Sequence, residues 1–139
     1  MTGAKSSVSG RQELRLEGLC FKFEADTLRS WRDAEIDCQS DHGHLVKLDS
    51  SAKNELIVKF AQELRLEVGK LVGFNIGAKD GDENGHWTWY DNTPVSSPKW
   101  GPNEPSGDGY CAQILSAHSY RWNDVNCSDS WGYICEIPM

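Results

Sequence analysis

The chain is 139 residues long, which suits one compact domain and leaves little room for a second. Hydrophobic residues make up 38% of it and charged residues 25%, so the composition is that of a globular protein. The formal net charge is −7, and residues 73–139 hold nine acidic side chains against three basic ones. A surface this acidic repels phosphate backbones, which excludes a nucleic-acid partner, and suits a cation instead.

No apolar run approaches the roughly 20 residues that a membrane-spanning helix requires, so no membrane insertion of this chain is expected. The first seven residues also lack the hydrophobic core of a secretion signal. The number of cysteines nevertheless favours an oxidising compartment. We therefore expect an extracellular protein, either secreted or the ectodomain of a membrane protein, whose signal or anchor segment is not part of this chain.

The cysteines leave their pairing open. Several arrangements with two disulfides are conceivable, in which the fifth cysteine stays free or pairs between chains. A zinc site is the first competitor, but the chain has no Cys-x-x-Cys pair and no histidine spaced to complete one. Disulfides are therefore the better interpretation. The residues concerned are Cys20, Cys38, Cys111, Cys127 and Cys135, with the histidines His42, His44, His86 and His118.

In chain order, the first elements predicted are a tail, a strand region and a helix. Residues 1–12 are polar, with Ser and Gly, which is typical of a tail or a tag remnant before a domain at residues 13–139. Loose alternation from Leu14 to Phe23 predicts one or two short strands. Ser30 is a good N-cap for a first helix. The residues expected on the buried face of that helix are Trp31, Ala34 and Cys38.

A second helix is predicted after a short strand at residues 44–48. Its N-cap lies within Asp49–Ser51 and its end at Gly69. The stripe expected to be buried is Leu56, Phe60 and Leu64. From Leu71 onward, short apolar runs alternate with loops rich in Gly, Pro, Asn and Asp. Residues 91–109 carry almost no regular-structure signal, and loops that long usually serve a function. The layout predicts an α+β fold with its function in the loops.

Motifs across residues 20–136 resemble the C-type lectin family. The most specific are Glu104–Ser106, Trp122–Asp124 three residues before Cys127, and Gly132–Glu136 near the end. Supporting segments are Cys20–Phe23, Ser30–Ala34 leading to Cys38, Leu71–Phe74 and Gly85–Pro94. The resemblance implies a C-type-lectin-like carbohydrate-recognition domain, with two helices, short antiparallel strands and a long calcium-binding loop region.

The resemblance also implies the disulfides Cys38–Cys135 and Cys111–Cys127. The first would join the first helix to the last strand, and the second would hold the loop that carries the Trp122–Asp124 motif. Cys20 matches a family cysteine whose usual partner lies upstream, and this chain has no such residue. Cys20 would then be free, separated from its partner, or part of an interchain bridge that makes a homodimer.

Calcium and sugar binding follow from the same resemblance. Calcium prefers six to eight oxygen ligands, which flexible loops can supply. The implied ligands of both the ion and the sugar are Glu104, Ser106, Asn123 and Asp124, and Asp108 is a possible fifth metal ligand. In the family, two neighbouring sugar hydroxyls complete the coordination of the ion. The bond before Pro105 is cis in family members.

Two departures from the family pattern concern this site. Ser106 stands where the family usually has Asn, and Tyr110 stands where an acidic residue usually precedes the cysteine. An auxiliary calcium site used by some members would draw on Asp80, Asp82 or Glu83, which more often form a solvated turn. The missing acid at Tyr110 argues against a full auxiliary site.

The sugar preference expected from these departures is galactose-type over mannose-type. Loss of the amide donor at Ser106 weakens the features that favour mannose. Galactose binders commonly cover the apolar face of the sugar with an aromatic ring. Trp100, in a polar loop four residues before Glu104, is the leading candidate, with Tyr110 or Tyr120 in reserve. Trp122 is expected in the core.

Two other functions compete with calcium-dependent sugar binding. Domains of this fold without carbohydrate activity bind proteins, but the presence of Glu104, Asn123 and Asp124 together favours sugar. A small glycosidase would use a carboxylate pair such as Glu104 with Asp124, one of them in an apolar pocket. Both lie among Asn, Ser, Gly and acidic residues, a setting that suits a metal, so no enzymatic activity is expected.

Overall fold

The computed structural model describes residues 4–8, 11–64 and 71–139. Its helices are α1 (Trp31–Ser40), α2 (Ser51–Glu63) and a single 3-10 turn (Ser116–His118). Its strands are β1 (Ala4–Val8), β2 (Arg11–Leu16), β3 (Leu19–Arg29), β4 (His44–Leu45), β5 (Gly73–Lys79), β6 (Thr88–Trp89), β7 (Cys111–Leu115), β8 (Arg121–Val125) and β9 (Trp131–Pro138). The α+β class and the two helices predicted from the sequence are confirmed.

The strands form one sheet in the order β1-β2-β3-β9-β5-β7-β8, with β4 added on β9 and β6 on β5. The pairs are antiparallel except β5 with β9, which is parallel. The sheet therefore contains the short antiparallel strands that the resemblance implied, together with one parallel pair. The parallel pair arises because β9 lies between β3 and β5, which run in opposite directions, so β9 can be antiparallel to only one of these two strands.

Helix α1 follows the sequence prediction closely. The hydroxyl of its N-cap Ser30 accepts a hydrogen bond from the backbone nitrogen of Asp33. The predicted face of Trp31, Ala34 and Cys38 is buried, and the Trp31 indole nitrogen donates to the carbonyl of Ile76 in β5 at 2.7 Å. The helix is thereby held against the sheet.

Helix α2 begins as predicted but buries a different stripe. Ser50 is its N-cap, and its buried residues are Ile57, Phe60 and Ala61. Of the predicted stripe only Phe60 is fully buried, since Leu56 and Leu64 are half-exposed. A strict four-residue spacing follows one line along the helix, whereas a face against a core includes positions three and four apart. The helix ends at Glu63, and the end predicted at Gly69 lies outside the described residues.

The sheet continues into the part of the chain assigned to a tail. Strand β1 pairs antiparallel with β2, and β2 pairs with β3. Leu14 and Leu16 of β2 are buried. The residues before Leu14 carry no alternation of apolar side chains, but a backbone ladder can form without one at the edge of a sheet. Residues 4–8 and 11–12, within the segment interpreted as a tail or tag remnant, therefore lie in strands, and the domain boundary at residue 13 stays a prediction.

Both implied disulfides are formed. Cys38 is bonded to Cys135 and Cys111 to Cys127, with Cα–Cα distances of 5.3 and 5.1 Å. Cys20 lies outside both bridges, only 5% exposed, and burial raises the pKa of its thiol. A buried neutral thiol is a poor partner for an interchain bond, so the structure lends no support to a dimer through Cys20.

The predicted irregular region is confirmed. Between β6 and β7 the described chain forms no helix or named strand, and its two isolated bridges join Thr88 to Pro94 and Trp100 to Trp122. The second bridge brings this long loop against β8 and positions the candidate site.

Candidate functional site

The site lies where the long loop runs along β8. Backbone hydrogen bonds join the two segments on both sides of Trp122, whose nitrogen donates to Lys99 and whose carbonyl accepts from Gly101. The nitrogen of Glu104 then donates to the carbonyl of Gly101, which turns the loop back. The Glu104–Pro105 bond is cis, as the resemblance implied.

Strand β8 carries three side chains that shape the site. Trp122 and Asp124 are almost fully buried, whereas Asn123 between them is half-exposed. Trp122 packs edge-to-face on Trp89, with ring centroids 5.6 Å apart, and is part of the core as predicted. The amide of Asn123 lies 3.1 Å from both carboxylate oxygens of Glu104.

Asp124 organises the loop after Pro105. Its carboxylate accepts hydrogen bonds from the nitrogen and hydroxyl of Ser106 and from the nitrogens of Gly107 and Gly109, at 2.8–3.1 Å. A side chain at Gly109 would collide with the backbone of Val125, so the loop can approach Asp124 only with glycine there. Burial acts to raise the pKa of Asp124, but hydrogen bonds from Glu104, Ser106 and Gly109 outweigh it and lower the pKa.

Glu104 and Asn123 lie against each other at the site. One polar end of the Asn123 amide lies 3.0 Å from Oε1 of Gln113, and the other lies 3.1 Å from both carboxylate oxygens of Glu104. With its nitrogen toward Glu104, the amide can donate a hydrogen bond to each of those oxygens. The carboxylate of Glu104 and the amide of Asn123 are therefore close enough to act on one ligand.

Glu104 lies in an acidic environment. Burial, followed by the neighbouring carboxylate of Asp124, raises the pKa of Glu104. Nε2 of His118 lies 3.5 Å from a Glu104 oxygen. Among the described residues, neither Glu104 nor Asp124 forms an ion pair with Lys or Arg.

All five predicted metal ligands meet in one network. Ser106 donates its backbone nitrogen to Glu104, and its hydroxyl to Asp108 at 2.7 Å and to Asp124. The short loop thus brings Asp108 to the site. Among the described residues no three Asp, Glu, His or Cys side chains form a metal cluster on their own. The set combines carboxylates with an amide and a hydroxyl oxygen, and this oxygen-only chemistry fits calcium rather than zinc.

Trp100 is placed differently from the expectation of an exposed ring. It is half-buried and makes edge-to-face contacts with Trp122 and Trp87, with centroid distances of 5.6 and 4.9 Å. The difference arises because the ring packs against two indoles from outside the loop, Trp87 directly before β6 and Trp122 in β8. Of the reserve candidates, Tyr120 is buried and Tyr110 is 44% exposed.

The turn considered for an auxiliary calcium site is held by its own hydrogen bonds. Asp80 is 4% exposed, and its carboxylate accepts from the backbone nitrogens of Asn84 and Gly85. Asp82 and Glu83 are exposed. Asp80 thus has a structural role in shaping the turn, which agrees with the expectation of a solvated turn.

Two residues that contact the site were not predicted to do so. Gln113 is fully buried opposite Asn123 on β7, and its Oε1 lies 3.0 Å from the Asn123 amide. His118 reaches Glu104 from the 3-10 turn after β7. Gln113 could have been found by predicting the pairing register of β7 with β8, because a Gln directly opposite an Asn suggests a polar cross-strand pair. The position of His118 depends on the turn and has no sequence signal.

Comparisons with known proteins agree with this fold. A family model described as the lectin C-type domain matches residues 27–137. The chain is 33% identical to the chicken hepatic lectin over 134 residues, which cover 93% of this chain and 59% of that protein. The chain therefore spans about three fifths of the length of this relative.

Solved structures show the same architecture. Human lithostathine superposes with a TM-score of 0.80 at 26% identity, covering 96% of this chain and 92% of that chain. A complex of SPL-1 with GlcNAc gives 0.77 at 28%, covering 92% of each. A calcium-independent type II antifreeze protein gives 0.73 at 28%, covering 97% and 96%. Members of the family are non-enzymatic binding proteins. This chain belongs to the C-type lectin domain family.

Proposed function

We propose that this domain binds carbohydrate through one calcium ion held by Glu104, Ser106, Asn123 and Asp124, with Asp108 as a further ligand. The observation that carries the proposal is the convergence of these side chains: Ser106 joins Glu104, Asp108 and Asp124 by hydrogen bonds, and the Asn123 amide lies 3.1 Å from both oxygens of Glu104. A group of carboxylate, amide and hydroxyl oxygens suits a hard cation such as calcium. The SPL-1 relative bound to GlcNAc supports a sugar as the ligand.

The residues of the site have different roles in this proposal. Calcium, when bound, supplies a positive charge and open coordination positions for sugar hydroxyls. Glu104 and Asn123 bind the ion and also lie at the rim, where they can hydrogen-bond those hydroxyls. Asp124 is buried and holds the loop of Ser106 in place. Because the loop is already closed around Asp124, little ordering should be needed for binding.

We expect galactose-type sugars to be preferred over mannose-type sugars. Ser106 offers a hydroxyl whose hydrogen is directed to Asp108 and Asp124, so it lacks the donor that an Asn amide would give a mannose-like ring. Trp100 packs against Trp122, the residue that precedes Asn123. Trp100 is only half-buried, so it can contact the apolar face of galactose.

The compartment follows from the disulfides. Both bridges persist only where the surroundings are oxidising, which supports an extracellular site of action. Among the described residues, no helix has the length and apolar character needed to cross a membrane.

A second candidate is protein binding without calcium or sugar. It is favoured by the carboxylate of Asp124, whose four loop hydrogen bonds occupy its acceptor positions. The calcium-independent antifreeze protein has the same fold. In this case the same loop would be a rigid scaffold, and calcium would leave its stability unchanged.

A glycan array probed with calcium and again with a chelator tests the proposal. We expect binding to galactose-terminated glycans that is lost with the chelator and in Glu104→Gln. The control is Glu83→Gln, which removes the same charge from the exposed turn and should bind as the natural protein does. No glycan bound in either condition would favour the second candidate, whereas equal glycan signals with calcium and with chelator would refute the role of calcium in sugar binding.

The sugar preference is tested separately by competition on a galactose matrix. Free galactose should displace the natural protein better than free mannose, and Ser106→Asn should shift the preference toward mannose. Trp100→Ala should weaken galactose binding, provided that its melting temperature shows a folded domain. Better competition by mannose in the natural protein would refute the preference, whereas undiminished binding by Trp100→Ala would refute only the stacking residue.

A further inference from the structure

A groove between α2 and the start of β8 collects positive charge in an otherwise acidic protein. It has a volume of about 430 Å³, and its basic lining residues are Lys59, Lys99 and Arg121. Glu55 is the one carboxylate among the described lining residues. The lining thus carries a formal charge of +2 in a chain whose net charge is −7. Two of the three basic residues beyond position 73 lie here.

These cations have no carboxylate partners among the described residues. Neither Lys59 nor Lys99 takes part in an ion pair, although Lys99 is half-buried. Arg121 donates its Nε to the carbonyl of Trp100 at 2.9 Å, which orients the guanidinium without neutralising it. Uncompensated positive charges in a groove attract an anion, because the low-dielectric walls focus the field.

The rest of the lining suits a saccharide. Asn54, Gln62 and Ser119 offer amide and hydroxyl groups that match sugar hydroxyls. The turn at the edge of the groove is defined by two consecutive residues with positive φ, Ser119 at 53° and Tyr120 at 61°. The side chain of Tyr120 is buried and its nitrogen donates to Leu115, so the turn is held in place.

The groove lies close to the candidate sugar site. Arg121 and Asn123 are two residues apart on the same face of β8, so their Cα atoms lie about 7 Å from each other. His118, beside Ser119, contacts Glu104. A glycan whose terminal ring occupies the site of Glu104 and Asn123 can therefore extend into the groove within one sugar unit.

We propose that this groove binds an anionic group, a sulfate ester or a sialic acid carboxylate, carried by the same glycan that the calcium site holds. The inference rests on the proposed function, since it takes Glu104 and Asn123 as the position of the terminal sugar. The calcium site by itself would bind only neighbouring hydroxyls of a sugar. The groove would make the domain selective for acidic glycans.

The experiment compares three ligands by titration calorimetry in calcium at physiological salt. They are lactose, lactose with a sulfate ester on the galactose 6-position, and lactose with a 6-linked sialic acid. The proteins are the natural domain, Lys59→Gln/Lys99→Gln and Glu104→Gln. The matched control, Arg32→Gln/Lys79→Gln, also removes two positive charges, but from a groove beside Asp108.

At least one acidic lactose should bind the natural domain about fivefold to tenfold more tightly than lactose, as expected for two solvent-accessible charge pairs. That gain should vanish in Lys59→Gln/Lys99→Gln, persist in the control, and shrink as salt is raised. Whichever acidic lactose gains identifies the anion. The gain and all lactose binding should be absent from Glu104→Gln.

Failures of the two proposals are distinguishable. The anion groove is overturned if lactose binding depends on Glu104 but neither acidic ligand binds more tightly than lactose. That result leaves the proposed function intact. Acidic ligands that bind Glu104→Gln undiminished overturn the link between groove and sugar site. No binding of any ligand to the natural domain overturns both.

Discussion

Glu104→Gln is expected to abolish the thermal stabilisation that calcium gives this domain. Ligands that bind only the folded state raise its stability by RT ln(1 + [L]/Kd). Extracellular calcium sites commonly have Kd values of roughly 0.1–1 mM. Calcium at about 10 mM should then add about 1.4–2.7 kcal/mol, which corresponds to about 5–9 °C in melting temperature for a domain of this size.

The same variant should behave in the opposite sense without calcium. Burial and Asp124 raise the pKa of Glu104, so the folded state disfavours its ionised form at neutral pH. A neutral Gln relieves this repulsion, and stabilisation by roughly 0.5–1 kcal/mol, or about 2–4 °C, is expected in chelator. The natural protein should therefore be the less stable of the two in chelator and the more stable in calcium.

The assay is thermal unfolding of chelator-treated protein, followed by circular dichroism, with and without added calcium. Glu83→Gln is the matched control, because its carboxyl is exposed in the turn at residues 80–85 and should not affect the calcium response. The reasoning is refuted if calcium leaves the natural protein unchanged, or if Glu104→Gln gains as much as the natural protein. Loss of the response in Glu83→Gln would place the ion at the auxiliary turn.

Three further outcomes are expected. The stabilisation by calcium should shrink as the pH falls through the pKa of Glu104, which is raised above the ordinary value near 4.3. Asp124 should stay ionised over the same range because its pKa is lowered. A calcium stabilisation that is unchanged down to pH 4 would exclude Glu104 as a ligand. Replacing Cys38 and Cys135 by Ser should cost about 4–5 kcal/mol in urea unfolding, because that bridge closes a loop of about 100 residues; a cost below 1 kcal/mol would contradict this. Cys20 should resist thiol reagents until the protein unfolds; rapid native labelling, or a reducible dimer, would show that it is accessible.

The parts of the fold that were predictable depend on local chemistry or on the family motifs. The N-cap of α1 was predictable because the hydroxyl of Ser30 can accept a hydrogen bond from a free backbone nitrogen in the first turn of the helix. The two disulfides were implied by the resemblance. The stripe of α2 was misjudged because Leu56 satisfies the periodicity without facing the core. The β1–β2 hairpin was missed because its pairing uses backbone groups, which leave no apolar alternation before Leu14.

The candidate site shows the same division. The family motifs predicted Glu104, Ser106, Asn123 and Asp124, with Asp108 as a possible addition, and these side chains meet although two of them lie on β8 and three on the long loop. The buried partner Gln113 and the contact of His118 with Glu104 required the register of β7 and β8. The half-buried state of Trp100 was not predictable from a polar loop, because only the folded chain brings three indole rings together.

The central claim is that one sugar and one calcium ion share the site of Glu104 and Asn123. Calorimetric titration of a galactoside into the natural protein, once in calcium and once in chelator, measures this directly. We predict saturable binding with one site per chain in calcium and none in chelator. Equal binding in both conditions, or no binding in calcium at millimolar galactoside, would contradict the claim.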